Sequence, residues 1–100
     1  MIAQGNDTAF LYRLYYSLIM RDILYHLGFD SNRKNKAILH DFHKRILGYK
    51  SIAGLNYDRL SYFISEVLLL WAENGIFVRS KKEQEIGIEK KSLKELWKIL

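Results

Sequence analysis

The residues of this chain with the most obvious capacity for chemistry are its histidines, and their spacing argues against catalysis. His40 and His43 stand three apart, so on a helix they share a face and could chelate a metal. A stable site needs further ligands, and the neighbours Lys36, Lys44 and Arg45 are cationic, so no metal is expected. His26, Asp22 and Asp41 could each move a proton, but none has a second group at a motif spacing. No glycine-rich phosphate loop, nucleophile elbow or zincin pattern occurs. Without cysteine there is neither a thiolate ligand nor a cysteine nucleophile, which agrees with a reducing compartment. The chain is therefore expected to be a non-enzyme, with no cofactor and no small-molecule substrate.

Charge is the remaining chemical resource. Sixteen Lys and Arg against eleven Asp and Glu leave a net charge of +5, which favours an anionic partner. On a helix over 31–47, Arg33, Lys36, His40, His43 and Lys44 gather on one side, while Ile38, Leu39, Phe42 and Ile46 gather on the other. Such a stripe is suited to following phosphates, and the same pattern also describes the solvated face of an ordinary amphipathic helix. The expected nucleic-acid contacts, to DNA first, are Arg33, Lys36, His40, Lys44, Arg45 and, just past the helix, Lys50. Interleaved Glu83, Glu85 and Glu89 weaken a similar role for Arg79, Lys81, Lys82, Lys90 and Lys91.

The elements that must carry these residues are helices. There is no proline, and three periodic stretches end alike, in Leu27-Gly28-Phe29, Leu47-Gly48-Tyr49 and Asn74-Gly75-Ile76. Glycine enters the left-handed conformation that closes a helix, and an apolar residue after it packs back on the last turn. Starts are expected at Asp7 or Thr8, Asp30 or Ser31, Asn56 and Ser92, the last with a capping-box pattern to Glu95. The expectation is an all-α fold, a compact bundle of three main helices over about 8–27, 31–47 and 57–74, plus a short C-terminal helix over 92–100. Residues 1–78 would be the core domain, 79–91 a polar basic linker or arm, and 92–100 a docking helix with Leu93, Leu96, Trp97 and Leu100 on one face.

In the third helix Tyr57, Leu60, Phe63, Ile64, Val67, Leu68, Leu70 and Trp71 make one broad apolar face, expected to be core. The first helix is apolar all round, so it either runs through the centre of the fold or meets another chain. In the second case the interface would comprise Tyr12, Tyr16, Ile19, Met20, Ile23 and Leu27, as a homodimer or with a protein partner. Arg13, Arg21 and Asp22 make the first helix unsuited to crossing a membrane, and the second keeps no free apolar face for a membrane surface once it packs. The first residues lack a basic stretch followed by an apolar run, so no secretory signal is expected and the cytoplasm is the expected location.

From Asp22 to Phe77, the order Leu27-Gly28-Phe29-Asp30, then Gly48-Tyr49-Lys50-Ser51-Ile52-Ala53-Gly54-Leu55, then Glu73-Asn74-Gly75-Ile76-Phe77 resembles the small helical domain of Mu-like phage regulatory proteins of the GemA type. The chain departs from that pattern at Leu55-Asn56-Tyr57 and in its very apolar third helix. The resemblance implies a regulatory or DNA-metabolism role of phage or mobile-element origin and transfers no catalytic residue. Together with the basic stripe it yields the expectation of a small nucleic-acid-associated accessory protein. The alternative is an interaction or oligomerisation module acting through the first helix.

Overall fold

The computed structural model describes residues 4–87, and these form an all-α bundle. The first helix is a continuous rod of α1 (Gln4–Arg13), a π-helical segment (Leu14–Ile19) and α2 (Met20–Leu27). It is followed by α3 (Arg33–Leu47), α4 (Tyr57–Glu73) and the short α5 (Lys81–Ile86). The helix expected over 92–100 lies outside the described residues. None of the described helices is long and apolar enough to cross a membrane.

The stops behave as their residue types require. Gly28 and Gly48 take the left-handed conformation, with φ of 85° and 79°. The amide after each closing turn reaches back to the same kind of carbonyl: Phe29 to Leu24 at 2.9 Å, Tyr49 to Lys44 at 2.8 Å and Ile76 to Trp71 at 2.8 Å. Asn56 caps α4 as expected, its side chain accepting from the Arg59 amide. For α3 the cap is Asn32 rather than Asp30 or Ser31, accepting from the Asn35 amide at 2.8 Å.

The all-round apolar rod is the centre of the fold. It supplies Leu11, Tyr15, Ile19, Met20, Ile23 and Leu24 to a core completed by Leu39, Ile52, Leu60, Phe63, Ile64 and Val67. Leu11, Tyr15 and Ile19 are four apart, a spacing that drifts around an ordinary α-helix. The π-helical turn, in which the Met20 amide bonds the Tyr15 carbonyl, takes up that drift and keeps all three inside. This corrects the interface expected on the first helix: Ile19, Met20 and Ile23 are buried within the chain's own core and present nothing to another subunit. Tyr12 donates to the Ile52 carbonyl at 2.8 Å, Tyr16 is partly buried, and only Leu27 is substantially exposed.

Two further expectations are corrected. In α4, Leu60, Phe63, Ile64 and Val67 are core, but Tyr57 and Leu68 at the edges of the broad face are 40% and 36% exposed. Residues 79–87 are not a free arm. Arg79 is buried against Asp22, whose carboxylate accepts from the Arg79 amide at 2.8 Å and from its guanidinium at 2.6 and 3.1 Å. Beyond it α5 starts on a capping box between Ser80 and Glu83. It is tied down by Gln84, which accepts from the Arg21 guanidinium and donates to the Leu18 carbonyl.

Candidate nucleic-acid interface

Helix α3 carries the candidate site, and its orientation is not the one its hydrophobic pattern predicts. The inward row is Leu39 and His43, both buried, while Ile38, Phe42 and Ile46 are 59%, 43% and 55% exposed. Relative to its apolar face the helix is turned by roughly 90° about its axis, taking 100° per residue. The physical reason is a polar demand from the core. Tyr15 is fully buried, and a buried tyrosine hydroxyl must find partners. It finds two on α3, His40 Nδ1 at 2.8 Å and His43 Nδ1 at 2.9 Å.

The direction of this chain of hydrogen bonds is fixed at its far end. The Trp71 indole, which can only donate, lies 2.8 Å from His43 Nε2, so that nitrogen accepts. Neutral His43 then carries its proton on Nδ1 and donates it to the Tyr15 oxygen. The Tyr15 hydroxyl in turn donates to His40 Nδ1. A neutral His40 consequently carries its proton on Nε2, the nitrogen left over for the surface.

Electrostatics agree with neutral rings. Burial, then the neighbouring His40, pushes His43 down to about 4. Burial, then the Lys44 charge, lowers His40, with Asp41 acting weakly the other way. Burial, reinforced by Tyr16, raises Tyr15 far above the ordinary phenol range, so this hydroxyl stays a donor. Around the seam Tyr15 packs edge-on to Tyr16, His40 and Phe63, with ring centroids 4.9 to 5.5 Å apart.

At the outer end of the seam a pocket of about 440 Å³ is lined by Tyr16, Arg33, Lys36, Ala37 and His40. Three of the residues expected to contact nucleic acid therefore meet in one concave site, and its lining contains no carboxylate. Lys44 lies one turn on, close enough for its charge to act on His40. Arg45 is on another flank, bonded to Asp41 at 2.7 Å in an exposed pair, and Lys50 is exposed beyond the Gly48 turn.

No family model, curated protein or solved structure matches this chain. Its chemistry has to be read from its own residues. Among the described residues no group of three His, Cys, Asp or Glu side chains is arranged to hold a metal. Sequence patterning missed Tyr15 and Trp71 as polar partners of the histidines. The available signal was a set of tyrosines inside an otherwise apolar helix, since each buried hydroxyl needs a mate. It also assigned Tyr16 to a subunit interface, where the fold uses it as a wall of the basic pocket.

Proposed function

We propose that the protein is a small nucleic-acid-associated accessory or regulatory protein that holds phosphates along the first half of α3. The observation that carries this reading is the pocket that Arg33, Lys36 and His40 line together beside Tyr16. Arg33 and Lys36 supply charge, and His40 supplies a neutral donor whose direction is held by Tyr15. Lys44 extends the positive surface along the helix, and Lys50 lies past its end. Arg45 contributes less, because Asp41 already satisfies part of its guanidinium. DNA is the preferred partner, and a phage or mobile-element setting fits the GemA-like order of helix stops. The non-enzyme reading belongs to the same proposal.

The test is binding to a short duplex across a salt series. Affinity is expected to fall with salt, with a log–log slope of about −0.9 per phosphate neutralised. A Lys36→Glu/Lys44→Glu variant with parental helicity is expected to lose most binding. Parental affinity of that variant at low salt would overturn the assignment. The alternative reading, an interaction or oligomerisation module acting through the first helix, loses Ile19, Met20 and Ile23 as contacts because they are inside the fold, and would have to use exposed residues such as Leu27.

A further inference from the structure

A helix face that only follows phosphates needs no recess, yet the basic residues of α3 line one. Tyr16 comes from the central rod, and Arg33, Lys36, Ala37 and His40 come from α3, so the site of about 440 Å³ lies between two helices. Its volume falls in the range of small-ligand pockets, about 300–1,000 Å³. The phosphates inside a strand are flanked by sugar on both sides and meet a protein along its surface. A strand end lacks one flank and can enter a recess. Resting on the nucleic-acid reading above, we propose that this pocket receives the terminal phosphomonoester of a nucleic-acid strand, with the base of the terminal nucleotide against Tyr16.

Charge, donors and the aromatic wall agree on that ligand. An internal phosphodiester carries one negative charge, whereas a phosphomonoester carries about −1.5 to −2 at pH 7 and presents three acceptor oxygens. Arg33 and Lys36 bring two positive charges to the pocket, and no carboxylate in its lining offsets them. Arg33 offers a planar fork suited to two oxygens, and Lys36 offers a point charge. His40 adds a donor without adding a charge. Its Nδ1 accepts from the Tyr15 hydroxyl at 2.8 Å, so Nε2 is the ring nitrogen left for a ligand. Burial, then the Lys44 charge, favours the neutral form of that ring. Tyr16 packs on His40 with ring centroids 5.4 Å apart. An aromatic wall beside a phosphate site suits an unpaired terminal base, because every base has a face that stacks.

The test uses the full-length chain and short single strands of one sequence carrying a 5′-phosphate, a 3′-phosphate or hydroxyls at both ends, compared by isothermal titration calorimetry at one salt concentration. A hydroxyl-ended strand two nucleotides longer controls for the added charge. One of the phosphorylated ends should bind about tenfold tighter than both hydroxyl-ended strands. An abasic residue in place of the terminal nucleotide should weaken that binding about threefold or more. Arg33→Lys keeps the charge and removes the fork, so it should cut the end preference to about twofold and change binding of the hydroxyl-ended strand by less than about twofold. Salt-dependent binding that ignores the end group, or an end preference that survives Arg33→Lys, would overturn the proposal and leave the nucleic-acid reading standing. Failure of every strand to bind would overturn both. Adenosine monophosphate binding as tightly as the phosphorylated strand would overturn the proposal in favour of a free nucleotide.

Discussion

Two Asp–Arg pairs in this protein have nearly the same length and opposite circumstances. Asp22 and Arg79 meet at 2.6 Å with side chains 1% and 5% exposed, whereas Asp41 and Arg45 meet at 2.7 Å with side chains 54% and 81% exposed. The second pair is one helical turn apart and is screened by water, so its net worth is a few tenths of a kcal/mol. The first joins α2 to a segment 57 residues later, excludes water and directs the chain into α5. Its value lies less in attraction than in the cost of leaving either partner alone. The histidine seam belongs with the buried pair: Tyr15, His43 and Trp71 are partners whose loss strands a polar atom. The stripe residues Lys36 and Lys44 are closer in kind to the exposed one.

The sharpest way to break the comparison is to remove one buried partner. Arg79→Leu should destabilise the protein by about 3–5 kcal/mol in urea unfolding, because the buried Asp22 carboxylate loses both guanidinium bonds and keeps only the main-chain amide at position 79 and the His26 ring 3.7 Å away. The double variant Asp22→Leu/Arg79→Leu should recover much of that loss. A cost for Arg79→Leu no larger than that of an exposed pair would show that burial does not distinguish the two.

Acid tests the seam. His43 is held down to about 4 in the fold against an ordinary value of 6.5, so between those values the unfolded chain binds a proton that the folded chain does not. Stability is therefore fully present above pH 6.5 and declines as pH falls towards 4, by up to about 3 kcal/mol. His40, also lowered, acts in the same direction. Unfolding midpoints measured from pH 7 to 4 should show this slope, and a His43→Phe variant should flatten it.

A smaller effect is expected for Tyr15→Phe, about 1–3 kcal/mol, since it removes the acceptor for His43 Nδ1–H and the donor to His40 in one step. His40 would then lose the bond that selects its Nε2–H form, and ring nitrogen chemical shifts should report a mixture of tautomers. The smallest effect belongs to the exposed pair: Asp41→Ala should change stability by less than about 0.5 kcal/mol. It should leave Arg45 freer to bind phosphate, so duplex affinity should hold or rise slightly.

Much of the fold follows from local rules that the chain states openly. The Gly28, Gly48 and Gly75 stops and the Asn56 cap are where residue type places them, since backbone conformation and capping are decided within a few residues. Helix faces are legible only when one apolar stripe dominates, as in α4 with Leu60, Phe63, Ile64 and Val67. In α3 the stripe pointed the wrong way, because the Tyr15 hydroxyl drew the histidines inward and left Ile38, Phe42 and Ile46 outside. The candidate site was half visible for the same reason: Arg33, Lys36 and His40 could be grouped by helical spacing, but the pocket's Tyr16 wall and His40's protonated edge come from another helix.

By itself, then, the sequence determined an all-helical chain, the glycine ends of its helices, a first helix apolar all round and a basic side to α3. Tertiary structure alone decided that the rod's Ile19, Met20 and Ile23 are core, that Arg79 is an anchor, and that His43 is a buried acceptor of the Trp71 N–H. These depend on which polar groups meet after collapse. Their pairings span 28 to 57 residues of chain and leave no periodic trace in it.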